Sequence, residues 1–198
     1  MALTCPVANT IAAWTNKGGI VGRGVLLDFA SWADKHEIQY CALESYGISA
    51  KDLAAVAEEQ GVTFRAGDIL FIRSGFTRDY CKLEPEHEIE ISQREEPQFI
   101  GIEASEQMVR FLWDSKIAAI AGDQPAMEQC PLGVYSKGEY MIHEWCLAGW
   151  GMPLGEMFYL EELAETCKRL KRYTFFVSSM PLKVTSCTPF AHRERTDS

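Results

Sequence analysis

A chain of 198 residues has the length of one domain with a full core, and 47% hydrophobic against 24% charged residues exclude a disordered polymer. Net charge is −9 and the sequence pI is near 5.0, with the basic residues scattered, so nucleic acid is not an expected partner. No apolar run approaches the roughly 20 residues that span a bilayer, and the opening "MALTCPVANTIAAW" has neither a basic n-region nor a long apolar h-region.

Along the chain, strand-like runs alternate with helix-like ones. "GGIVGRG" (Gly18 to Gly24) follows no strand and lacks both the Walker lysine and the GxGxxG order, so it reads as a glycine turn entering a strand. That strand is the short apolar run "GVLLDFA", Gly24 to Ala30, ending beside Asp28. "SAKDLAAVAEEQG" places Ser49 and Asp52 at capping-box spacing and Leu53, Val56 and Ala57 on one face, and stops at Gly61, which predicts an amphipathic helix. "GDILFIRSG" (Gly67 to Gly75) is a buried strand bounded by glycines.

The stretch from Thr77 to Phe99 is charged and shows no clear periodicity, so it reads as a long loop: a lid, an interface arm or an insert. "EASEQMVRFLWDS" (Glu103 to Ser115) puts Met108, Phe111, Leu112 and Ser115 at helical spacing, and the strand "KIAAIAGD" follows, ending at Asp123. "LEELAETCKRLKR" (Leu160 to Arg172) is a last helix, whose terminal cations complement the macrodipole, and "YTFFVSSMPL" (Tyr173 to Leu182) a last strand. Strands separated by helices in this rhythm favour an α/β sheet, in which ligands gather at the C-terminal ends of strands. A single domain over residues 1–198 is expected, with its core from about 14 to 182 and a polar tail over 183–198.

Seven widely spaced cysteines (Cys5, Cys41, Cys81, Cys130, Cys146, Cys167, Cys187) include no CxxC pair. They fit neither a disulfide framework nor a zinc knuckle, and point to a reducing, cytoplasmic setting. His36, His87 and His192 lie in polar surroundings and read as surface histidines. Asp123, directly after an apolar strand, is placed where sheet ends present ligands, although an Asp capping the next turn explains it equally well. His143 and Glu156 bound the apolar and glycine-rich segment "HEWCLAGWGMPLGE". They are too far apart for one helical face, so a helix or half-strand and the "GWGMP" turn must bring them together. Zn²⁺ or Mn²⁺ would accept that mixed pair, and a buried His–Glu hydrogen bond is the other reading. Cys146, three residues after His143, sits in an apolar run where a cysteine usually acts as a small hydrophobe rather than a nucleophile. Trp145, Trp150, Met152 and Phe158 suggest either an aromatic-lined pocket beside the pair or core packing.

The blocks "KGGIVGRGVLLDFASWA", "RAGDILFIRSGFTR", "FIGIEASEQMVRFLWDSKIAAIAGDQPAMEQCP" and "HEWCLAGWGMPLGEMFYLEELAETCKRLKRYTFFVSSMPL", in this order, resemble the fungal branch of the cyclase family. These are metal-dependent hydrolases related to bacterial kynurenine formamidase. The resemblance implies an α/β fold with a mixed sheet and flanking helices, an oligomer, a site for one or two divalent cations (Zn or Mn), and attack on an amide or related carbonyl. It implies that His143 and Glu156 match the family's downstream ligands, and that Asp123 matches an aspartate of the strand-end block. The family also has an earlier histidine, histidine, aspartate cluster ahead of the "GGIVGRGVLLD" block. Seventeen residues precede Gly18 here, and none is His, Asp or Glu. Together with the polar tail, this leads to the expectation of a truncated cyclase-like chain. Two functions follow: a metal-dependent hydrolase or cyclase of small carbonyl compounds in fungal secondary metabolism, with Asp123 and His143 catalytic, or a shortened paralogue that pairs with a full-length relative.

Overall fold

The computed structural model describes residues 11–131 and 139–180. Cys5, Cys187, His192, the end of the last strand at 181–182 and the tail 183–198 lie outside the described residues. Among the described residues, 11–22 and 176–180 fall in one compact unit and 23–175 in another. The first holds α1 (Ile11–Asn16), the start of β1 (Ile20–Asp28) and the end of β7 (Thr174–Ser179).

The larger unit is built on a five-stranded sheet of order β6-β5-β3-β1-β7, with β3 at Ile69–Arg73, β5 at Ala119–Gly122 and β6 at Leu154–Gly155. The β1–β3, β3–β5 and β5–β6 pairs are parallel. Beside β1, Leu26 N donates to Tyr173 O, and Gly19 lies against Ser179, so β7 runs antiparallel and the sheet is mixed, as expected. A second, two-stranded parallel sheet pairs β2 (Tyr46–Ile48) with β4 (Ile100–Ile102).

The central strands are apolar at nearly every position because both faces are covered. Val25, Leu27, Leu70, Ile72 and Ile120 join Leu53, Val56, Met108 and Leu112 in one buried cluster. The last four belong to α3 (Ala50–Glu59) and α6 (Glu106–Asp114). Successive strand residues point to opposite faces, so Leu26, Phe71 and Ala121 are buried on the other side, where Phe71 meets Phe158 and Phe175. The helix α7 (Glu161–Leu170) buries Ala164 and Cys167.

Local chemistry sets the helix ends. Ser49 and Asp52 form the capping box expected for α3. Glu161 and Glu162 open α7 while Lys168 and Arg169 close it, in the sense the macrodipole favours.

Two expectations are corrected. The strand that ends beside Asp28 begins at Ile20 and not at Gly24, so most of "GGIVGRG" is strand rather than a turn entering one, and the Asp28 carboxylate accepts from Ser31 N to start α2 (Phe29–Lys35). The stretch from Thr77 to Phe99 is not a bare loop but holds α5 (Pro85–Ser92), and α4 (Phe76–Tyr80) overlaps its start. α5 buries no residue and therefore has no apolar period to read; Pro85 in its first turn, with Glu86 and Glu88, favours the helix locally. No helix of the described residues is long and apolar enough to cross a membrane.

Candidate active site

Because β6, β5, β3 and β1 are parallel neighbours, their C-terminal ends share one sheet edge, which carries Glu156, Asp123, Arg73 and Asp28 in turn. At the β1 and β3 ends the charges neutralise each other. Arg73 donates to Asp28 Oδ1 at 2.7 Å and, through Nε and Nη2, to both oxygens of Glu161 at 2.8 and 2.6 Å. The hydrogen bonds and charges of these two carboxylates hold the Arg73 guanidinium above its usual range against the opposing effect of burial.

Asp123 is fully buried. Its Oδ1 accepts from Ser74 N at 2.6 Å and Ser74 Oγ at 2.8 Å, and its Oδ2 from Gly75 N at 3.1 Å and Thr77 N at 3.4 Å. Burial pushes this carboxyl above the usual range, against four donors that pull it down. Asp123 thus satisfies the amides that open α4, in the turn after β3 much earlier in the chain and not in the turn next to it in sequence. The left-handed Gly75 (φ 93°) is packed too closely for a side chain, since a Cβ would stand 2.9 Å from Tyr40 Oη.

His143 and Glu156 are brought together, with a helical segment rather than a half-strand ahead of the turn between them. Ile142 and Cys146 are buried and anchor a π-helix, Glu144–Gly149, closed by Trp150 N donating to Trp145 O at 2.9 Å and followed by Met152 N to Cys146 O at 2.7 Å. Such wide turns recur at functional sites. The chain then enters β6, where Leu154 pairs with Ile120 and Gly155 with Ala121, and Phe158 N donates to Gly122 O. Glu156 is fixed between these anchors, and its Oε1 accepts from Met127 N at 2.8 Å and lies 3.1 Å from His143 Nε2.

A residue that the sequence reading missed completes the arrangement. Glu128, 1% exposed, accepts from the backbone N of His143 at 2.7 Å and meets His143 Nδ1 at 2.5 Å. It is held by backbone pairing of residues 127–129 with Ile102, and Gly101 permits the approach, because a Cβ there would collide with the backbone of Glu128 and Gln129. The available signal was weak: a carboxylate between Met127 and Gln129 in a segment without strand or helix periodicity.

The ring therefore lies between two carboxylates. A neutral imidazole that gives its one proton from Nδ1 to Glu128 turns the Nε2 lone pair toward Glu156 Oε1. With the one proton on Nδ1, two acceptors face each other at 3.1 Å, and either a metal ion or a second ring proton on Nε2 satisfies both. The donor chemistry fits a divalent metal contacted by Nε2 and Oε1, with Glu128 behind the ring in the orienting position common at metal-bound histidines. Glu128 lies on the Nδ1 side and adds no third ligand. Among the described residues no group of three or more His, Cys, Asp or Glu is placed to hold a metal ion.

The other candidates fall elsewhere. Cys146 is fully buried, and its thiol is pushed up to about 12, chiefly by burial and further by the Glu128 charge, so it is no nucleophile at neutral pH. Trp145 and Trp150 line a surface groove that includes neither His143 nor Glu156, Met152 is buried, and Phe158 packs on Phe71. His87 is exposed, and His36 pairs at the surface with Glu59 at 2.6 Å.

Solved structures share this fold. A crystal structure described as a novel cyclase is 28% identical, with a TM-score of 0.70 over 88% of this chain and 52% of that one. Isatin hydrolase A from Labrenzia aggregata matches at 16% identity and a TM-score of 0.61, over 91% of this chain and 61% of that one. Isatin hydrolase A from Ralstonia solanacearum matches at 14% and 0.59, over 89% and 59%. The chain thus spans about half to three-fifths of the length of these structures. No curated protein matches it in sequence. Residues 4–129, which include Asp123 and Glu128 but not His143 or Glu156, match the model of the family described as "Putative cyclase", and the chain belongs to that family.

Proposed function

We propose that this chain works as a divalent-metal-dependent hydrolase or cyclase of a small carbonyl compound, an amide, lactone or ester. The observation that carries the reading is the Glu128–His143–Glu156 row, in which two acceptors converge and a third carboxylate orients the imidazole from behind. Membership of the cyclase family and structural neighbours named isatin hydrolase support a cyclase or hydrolase. Bound between Nε2 and Oε1, Zn²⁺ or Mn²⁺ would supply Lewis acidity toward the carbonyl oxygen. His143 and Glu156 would hold it, and Glu128 keeps the His143 proton on Nδ1. Asp123 is a positioning residue here, holding the turn after β3 at the sheet edge that substrate approaches. Resemblance to the fungal branch supports a place in fungal secondary metabolism, in the cytoplasm.

Elemental analysis of the purified protein tests this. About one ion per chain, lost in His143→Ala and in Glu156→Ala, is expected. A protein that stays metal-free with both residues intact sinks the reading.

A second reading is favoured by one observation: the described residues offer two metal donors, where catalytic zinc normally takes three protein ligands. In it, the chain works as a subunit whose remaining ligands come from another chain, a second copy or a full-length relative. Size-exclusion chromatography giving a well-behaved monomer with a complete complement of metal would count against it.

A further inference from the structure

We propose that the groove between α6 and the π-helix binds a small organic cation of the alkylammonium class. Trp113, Trp145, Trp150 and Tyr140 line it, and its volume is about 440 Å³, within the range of small-molecule sites. None of Glu128, His143 and Glu156 does.

Three indoles converge here. The Trp150 ring lies 5.3 Å from Trp113 and 5.9 Å from Trp145, tilted at 47° and 55°. Neither pair is a parallel stack in which the rings cover each other. Trp113 is 62% and Trp145 38% exposed, so aromatic surface that folding would ordinarily bury stands in water. Exposed indole faces in a concave setting are what a desolvated cation requires.

The charges select the sign of the ligand. Arg110, the one cationic side chain lining the groove, is bound to Glu106, with Nε and Nη2 at 2.8 and 2.7 Å from Oε1, so this pair cancels. Asp114 is a second carboxylate acting on the same Arg110, so the groove carries two carboxylates against one guanidinium, and it stands in the last turn of α6. The C-terminal end of a helix already carries partial negative charge, so an aspartate there is locally unfavourable. A residue that breaks a local rule beside an open aromatic groove is accounted for by a cation that offsets both the carboxylate and the helix end. A ligand bearing its own carboxylate would meet Asp114 and Glu106, so a choline-like ammonium fits better than a zwitterion.

The test is a titration of the full chain with choline, read by saturation transfer to its methyl protons, beside neohexanol, the uncharged isostere with carbon in place of nitrogen. Choline is expected to bind about 5-fold more tightly than neohexanol, and less tightly as salt is added. Asp114→Asn should weaken choline about 3-fold and leave neohexanol unchanged, and Trp113→Ala should weaken both. Both side chains are at the surface, and circular dichroism checks that the variants fold. Equal binding of the two probes, or none, overturns the proposal. Concentration-dependent self-association that disappears in Trp113→Ala, without choline binding, also overturns it and gives the face to a second copy.

Discussion

Replacing Glu128 by Gln tests the orientation of His143 with almost no change in volume. The glutamate accepts at both oxygens, from the backbone N of His143 at 2.7 Å and on the Nδ1 side at 2.5 Å. A glutamine has one acceptor for these two positions. If its oxygen stays on the backbone N–H, its amide faces Nδ1, which must then accept, and the ring proton moves to Nε2. The nitrogen that would face a metal becomes a donor to Glu156. If the amide turns the other way, its NH₂ opposes the buried backbone N–H, and leaving that group unpaired costs about 1–3 kcal/mol. Loss of an orienting carboxylate behind a ligand histidine typically lowers metal affinity by about 10–100-fold, or about 1.4–2.7 kcal/mol at 1.36 kcal/mol per decade. Competition with a graded chelator at fixed pH measures this, and urea denaturation shows what stability is lost. An unchanged affinity in Glu128→Gln, with metal lost in His143→Ala, would refute the claim that Glu128 sets the tautomer.

Asp123→Asn keeps the Oδ1 contacts to Ser74 but sets an amide against Gly75 N and Thr77 N, and should cost about 2–4 kcal/mol in chemical denaturation. A variant as stable as the parent but inactive would show instead that Asp123 acts on substrate. Arg73→Ala strands the Asp28 carboxylate in the core and should destabilise by about 3–5 kcal/mol; a loss below about 1 kcal/mol would mean that water replaces the guanidinium. Cys146, pushed up to about 12, is expected to resist a maleimide at pH 8 in the native state, while exposed Cys41 and Cys81 react. Mass mapping showing early label on Cys146 would contradict its burial. Since the raised value leaves the thiol protonated, labelling should quicken only as pH approaches that value or as the protein unfolds. Ser49→Ala removes one half of the capping box of α3 and should cost about 1 kcal/mol.

Elements were legible in the sequence where a local rule and the burial pattern agreed. α3 carries its own cap and stripe, and β3 and β5 are short apolar runs between turn residues, so each could be read without its neighbours. The start of β1 was misread because the glycines from Gly18 to Gly24 read as a turn, whereas its end was marked by Asp28, whose carboxylate accepts from Ser31 N. α5 was invisible because it buries nothing. At the site, His143 and Glu156 stood out as polar ends of an apolar segment, whereas Glu128 has no local mark. Its role depends on a backbone N–H and a ring fifteen residues later, and on the closeness that Gly101 allows. Such a partner is specified by tertiary packing alone.

The sheet edge explains why only one of its charged ends is suited to chemistry. Four parallel strands deliver Asp28, Arg73, Asp123 and Glu156 to the same side, yet their surroundings give them different fates. Asp28 and Arg73 are almost fully buried and spend their charge on each other and on Glu161. Asp123 gives both oxygens to the turn that opens α4. Glu156, 27% exposed at its side chain, shares a single oxygen with Met127 N and faces a ring nitrogen whose other side is already fixed. The two-residue strand β6 is the cause: it is long enough to register Glu156 beside β5, and too short to bury it. Extending β6 by pairing beyond Gly155 would carry Glu156 into the sheet and away from His143, so the turn at Met157, held in a left-handed conformation (φ 57°), matters to the pair as much as the two side chains themselves. A Met157→Gly substitution relieves that backbone conformation and should leave the pair intact, whereas a β-branched Met157→Val disfavours it and should weaken metal binding without touching either donor.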